Sequence, residues 1–102
     1  MIIEVYGKQT CNLCDKAKLK VNLSLSKWRL SEKVPVRFMD MGTVDGAAEG
    51  AFYEVRKIPT TLLKDGEIVL ARWDGGHPDS RVMFEMLKPL MIQQSDSIEA
   101  AD

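Results

Sequence analysis

Only two cysteines and one histidine, His77, occur in this sequence of 102 residues, and neither sign of charge prevails. With 14 Lys and Arg against 15 Asp and Glu the net charge is -1. No basic stripe faces a phosphate backbone, so nucleic acid has no electrostatic support as a partner. No segment approaches the roughly 18 apolar residues that span a bilayer, which argues against a membrane partner. The apolar run at Met1 to Tyr6 is too short for a signal peptide and has no positive region before it. The expected compartment is therefore the reducing cytoplasm. There, two closely spaced cysteines read as catalytic or metal-binding rather than as a structural bridge.

Hydrophobic residues make up 45% of the chain, enough for one core, and no stretch suggests a second. One domain is expected over residues 1–92, with a flexible tail over 93–102 that lacks hydrophobic periodicity. Chains above about 40 residues can fold without disulfide or metal staples. The cysteines are thus free to do chemistry.

Ile2 to Tyr6 is short, apolar and β-branched, interrupted only by Glu4, and predicts a buried strand. From Asn12, the residues Leu13, Ala17, Val21, Leu25 and Trp28 recur at helical spacing. Lys16, Lys18, Lys20 and Lys27 lie off that stripe, giving an amphipathic helix of about 15 residues. Val34 to Met41 reads as a second strand with Pro35 near its start. A short helix is expected around Ala47 to Val55. Thr60 to Leu63 and Glu67 to Ala71 form a hairpin across Lys64-Asp65-Gly66. Pro78 suits the first position of a last helix carrying Val82, Met83, Met86, Leu87 and Leu90, which Pro89 should end or kink. The order is β-α-β-α-β-β-α: a four-stranded mixed sheet with helices on both faces.

The strongest chemical signal is Cys11-Asn12-Leu13-Cys14, between the first strand and the first helix. A thiolate is the nucleophile in disulfide exchange, and a helix N-terminus favours negative charge through its unpaired N–H groups and dipole. Cys14 lies almost one turn on, positioned to attack the Cys11 sulfur and release a substrate thiol. The same spacing also suits half of a zinc site. With no second C-x-x-C and one histidine, one chain cannot complete four ligands from cysteine and histidine alone.

A second signal is Lys57-Ile58-Pro59-Thr60, just before the Lys-Asp-Gly-Glu hairpin. Taken with the C-x-x-C some 45 residues earlier, the chain over about residues 1–91 resembles the glutaredoxin and thioredoxin superfamily. That resemblance implies a thioredoxin-like fold and a disulfide oxidoreductase. It implies a cis bond at Pro59, with Pro59 against the cysteines and Ile58 offered to an extended substrate. The start at the strand before the motif looks like glutaredoxin. Lys8, three residues before Cys11, matches a lysine that resembles a contact to a glutathione carboxylate. Gly75-Gly76 resembles the double glycine whose N–H groups hold the other one. Asp79 lies one position off an acidic residue of that pattern. The Ile-Pro-Thr and the hairpin look more like thioredoxin, but Val5 stands where thioredoxins carry a buried acid and Thr10 where they carry a tryptophan. Asn12-Leu13 matches the intervening dipeptide of neither branch.

The function expected is therefore dithiol–disulfide exchange on protein disulfides or glutathione mixed disulfides. It uses no bound cofactor, and glutathione or a flavin reductase supplies electrons. Two alternatives remain at this level: a metal or iron–sulfur carrier using the C-x-x-C of two chains, and an adaptor binding peptides along the Pro59 edge without catalysis. His77 reads as structural or solvent-facing, Asp40 as a strand terminus, the methionines as core filling, and Trp28 and Trp73 as caps on the core.

Overall fold

Residues 1–101 are described by a computed structural model, the side chains through Met91. The elements run β1 (Ile2–Gly7), α1 (Asn12–Lys27), β2 (Val36–Asp40), α2 (Val44–Phe52), β3 (Thr60–Asp65), β4 (Ile68–Asp74) and α3 (Ser80–Ala101). The sheet order is β2-β1-β3-β4. β1 and β2 are parallel, as a strand–helix–strand crossover requires, and the other two pairings are antiparallel. This is the expected β-α-β-α-β-β-α chain with a mixed four-stranded sheet.

Alternation along β1 sorts its side chains between two layers. Ile3 and Val5, with Leu63 of β3, meet Ala17, Val21 and Leu25 of α1 and Met83 and Leu87 of α3 in one cluster. Tyr6, Leu62 and Met39 meet Met41, Tyr53 and Val55 on the opposite side, where α2 lies. Helices therefore cover both faces. Trp28 caps α1 and packs edge-on against Phe84 of α3, with ring centroids 5.5 Å apart.

Four details differ from the sequence expectation. Leu13 is 51% exposed, and the buried stripe of α1 begins instead at Cys14. The first turn has room for one inward side chain, and the cysteine takes it. Helix α2 starts earlier than expected, because the Thr43 hydroxyl accepts from Gly46 N–H at 3.0 Å and caps it. Helix α3 starts at Ser80, not at Pro78, because the Asp79 carboxylate accepts from Arg81 N–H at 2.9 Å. Pro89 lies inside α3. It is exposed, as is Glu85, so the carbonyl that loses its donor can be hydrated. The helix runs on to Ala101, and the flexibility expected of 93–102 rests on side chains outside the described residues.

Candidate active site

At the carboxyl end of β1 the chain leaves the sheet, and α1 begins after four intervening residues. This is where open α/β sheets hold their sites. Cys11 is the N-cap of α1 in extended conformation, partly exposed, and its Sγ accepts from Cys14 N–H at 3.1 Å. Cys14 is fully buried and disulfide-bonded to Cys11. Cys11 is thus partly exposed on a helix terminus and Cys14 is shielded.

The floor under Cys14 is Gly7. A methyl group there would lie 2.5 Å from Cys14 Sγ, 2.9 Å from its Cβ and 3.2 Å from Phe38. Glycine is thus required for α1 to approach the sheet this closely. Gly7 reads from sequence as part of a connector, and its only signal was a glycine ending an apolar strand just before the motif.

The strand register builds a row across this end of the sheet. Gly7 pairs with Asp40 on β2. Tyr6 pairs with Thr60, and Thr60 with Asp74, so one further step sets Pro59 beside Gly7 and Gly75 beside Pro59. The Ile58-Pro59 bond is cis, and Pro59 is buried. Gly75 N–H donates to Pro59 O at 2.7 Å. Cys14, Gly7, Pro59 and Gly75 are therefore brought together from sequence separations of up to 68 residues.

The remaining expected site residues lie around that row. Lys8 is exposed in the loop after Gly7, and Ile58 is partly exposed ahead of the cis bond. Gly75 and Gly76 have φ of 77° and 65°, left-handed values that glycine adopts freely. Because Gly75 N–H is committed to Pro59, Gly76 supplies the amide without a protein acceptor among the described residues. Asp79 is occupied as the cap of α3. His77 is exposed. Asp40 ends β2, as expected, but also accepts from Gln9 Nε2 at 3.3 Å and Gly42 N–H at 2.8 Å, tying the loop before Cys11 to the sheet.

Val5 lies in the apolar cluster, so no carboxylate enters the space behind Cys14 from that position. The adjacent acid, Glu4, points to the other face. Only 3% exposed, it meets Lys64 Nζ at 3.2 Å and accepts from the Tyr6 hydroxyl at 3.0 Å. Burial, then the charge of Glu4, pushes the Tyr6 phenol upward. Burial alone would lower the Lys64 ammonium, but the Tyr53 side chain beneath it and its hydrogen bond to Glu4 outweigh that, and the net direction is upward. This network, which reaches the surface through Arg37 Nη1 at 3.9 Å from Glu4 Oε2, had no signal in the linear pattern beyond a charge inside an apolar strand.

Among the described residues no group of three or more His, Cys, Asp or Glu is placed to hold a metal ion. No described helix is long and apolar enough to cross a membrane.

No protein-family model and no curated protein matches the sequence. Solved structures do match the fold. Thioredoxin 1 of Thermosipho africanus superposes with a TM-score of 0.68 at 19% identity, covering 92% of this chain and 99% of that one. The germline-specific thioredoxin Deadhead of Drosophila melanogaster gives 0.65 at 22% identity, covering 87% and 79%. Thioredoxin O2 of Arabidopsis thaliana, in its oxidized state, gives 0.66 at 14%, covering 88% and 74%. This chain is a thioredoxin-fold protein with a C-x-x-C disulfide at the start of its first helix, an arrangement consistent with thiol–disulfide exchange.

Proposed function

We propose that the chain is a thiol–disulfide oxidoreductase in which Cys11 is the nucleophile and Cys14 the resolving thiol. The observation that carries this reading is the asymmetry of the pair: Cys11 is partly exposed at the N-cap with a backbone N–H on its sulfur, and Cys14 is buried behind it. In the reduced protein the Cys11 thiolate attacks one sulfur of a substrate disulfide. A Cys11–substrate bond forms, and the first substrate thiolate leaves and is protonated. Cys14 then gives up its proton and attacks the Cys11 sulfur. The Cys11–Cys14 disulfide forms, the second substrate thiolate departs, and two electrons have passed to the substrate. An external thiol or dithiol restores the pair by the same exchange, so the cycle needs no bound organic cofactor.

Protein disulfides and glutathione mixed disulfides are the substrate classes this reading assigns, with glutathione or a flavin reductase as electron source and the cytoplasm as compartment. Ile58 and Pro59 would receive an extended chain, since no hydrogen bond among the described residues engages the Ile58 backbone. Lys8 and the Gly75-Gly76 turn would receive the two carboxylates of glutathione.

The test is alkylation of the reduced protein against pH, with each thiol mapped by mass spectrometry. Cys11 is expected to react at pH values where an ordinary thiol, of pKa about 8.5, is protonated. Cys11→Ser should abolish disulfide reduction, and Cys14→Ser should trap mixed disulfides with protein substrates. Equal, sluggish alkylation of both thiols, or activity surviving Cys11→Ser, would sink the proposal.

A further inference from the structure

The loop between α2 and β3, which carries Ile58 and Pro59, is neither helix nor strand. Its first residues are tied back to α2 by Glu54 N–H to Ala51 O at 3.1 Å and Val55 N–H to Gly50 O at 2.8 Å, and β4 adds side-chain anchors. The Arg72 guanidinium donates through Nη1 to Tyr53 O and through Nη2 to Glu54 O at 3.0 Å. Tyr53 is the C-cap of α2, and Glu54 follows it with a φ of 53°. Both carbonyls sit where the helix leaves acceptors without donors and where its dipole favours a cation. Arg72 Nε meets Asp74 Oδ1 at 2.9 Å, which fixes the plane of the fork. The chain is tied again further on: the Thr60 hydroxyl donates to Lys57 O at 2.6 Å, and Gly75 N–H holds Pro59 O. The segment between these ties carries the unpaired Ile58 backbone.

We propose that Arg72 is a positioning residue. By clasping the end of α2 it holds the Ile58-Pro59 edge at the height where an extended, disulfide-bearing chain can pair with it beside Cys11. This rests on the oxidoreductase reading and adds a dependence to it: Arg72 touches neither thiol, so it governs capture of polypeptide substrates and not the exchange chemistry. Arginine suits the task because a planar fork reaches two carbonyls and a carboxylate at once, which a lysine ammonium cannot do with the same geometry. The side chain is 31% exposed along an open cleft lined by Glu54, Arg56, Lys57, Arg72 and Asp74, so replacing it removes anchors without opening the core.

The experiment compares wild type, Arg72→Gln and Arg72→Lys in steady-state reduction of insulin with dithiothreitol as donor, and in single-turnover reduction of the small disulfide dithiobis-nitrobenzoate by pre-reduced protein freed of donor. In parallel, amide hydrogen exchange is followed across residues 53–59. Arg72→Gln is expected to raise KM for insulin about tenfold with kcat nearly unchanged, as loss of substrate alignment does. The small disulfide, which needs no strand pairing, should be reduced as before. Exchange across 53–59 should quicken while that of α1 stays constant, and Arg72→Lys should recover part of both effects. An unchanged KM for insulin, equal losses on both substrates, or unchanged exchange in Arg72→Gln would overturn the proposal. If wild type reduces neither disulfide, the oxidoreductase reading falls, and the exchange rates alone then decide whether Arg72 holds the loop.

Discussion

On the side of the sheet covered by α1 and α3, Ile3, Val5 and Leu63 meet Ala17, Val21, Leu25, Met83 and Leu87, and the buried strand residues there carry no charge, Thr61 being the polar one. On the α2 side the same strands present Glu4, Tyr6 and Lys64, where a carboxylate, a phenol and an ammonium are buried together beside the Tyr53 ring. The Cys14 sulfur belongs to the first side, over Gly7. The apolar layer shields Cys14 from water and offers it no carboxylate at Val5. The polar layer keeps its acid occupied by partners of its own. The redox pair and the buried charges are thus held apart by the thickness of one sheet.

The comparison can be broken most forcefully from the polar side. Glu4→Leu strands the Lys64 ammonium, and denaturant unfolding should show a loss of about 3–5 kcal/mol. Adding Lys64→Met removes the stranded charge, leaving the Tyr6 hydroxyl and Thr60 as the polar groups of that layer, and should recover most of that loss. A double variant as unstable as the single one would mean that the pair does more than compensate itself.

On the apolar side, Leu25→Ala should cost about 2–4 kcal/mol by the same measurement, since it removes buried methyl groups without stranding a charge. Gly7→Ala should cost about 1–3 kcal/mol, because the added methyl overlaps Cys14 and α1 must shift. It should also speed alkylation of Cys14 relative to Cys11 in the reduced protein. Unaltered relative rates would show that Gly7 does not set the depth of the Cys14 thiol.

The smallest effect concerns pH. The Tyr6 and Lys64 values are both raised from ordinary ones of 10.0 and 10.5. Their contributions are complete below about pH 10 and are lost as pH rises through the folded values. Stability should therefore fall on the alkaline side, and less steeply in Tyr6→Phe, as unfolding curves taken across that range will show.

Much of this was legible in the chain itself. Apolar runs placed the central strands, which are buried on both faces, the helical period placed α1 and α3, and the Asp-Gly turn placed the hairpin. Errors clustered at ends, where single side chains decide: the caps Thr43 and Asp79, and Cys14 displacing Leu13 from the buried stripe. The site was legible in its covalent part, a C-x-x-C before a helix and a proline before a hairpin. Gly7 and Arg72 were not, since their roles depend on groups brought to them from other elements.

Local order and the identity of the sulfur pair were determined by the sequence alone, because helix spacing and thiol chemistry act over a few residues. Tertiary structure alone decided which face each charge would occupy and which strands would line up Asp40, Gly7, Pro59 and Gly75 in one row. The reason is physical. Register and burial are set by contacts between segments tens of residues apart, and no local pattern encodes which of them will meet.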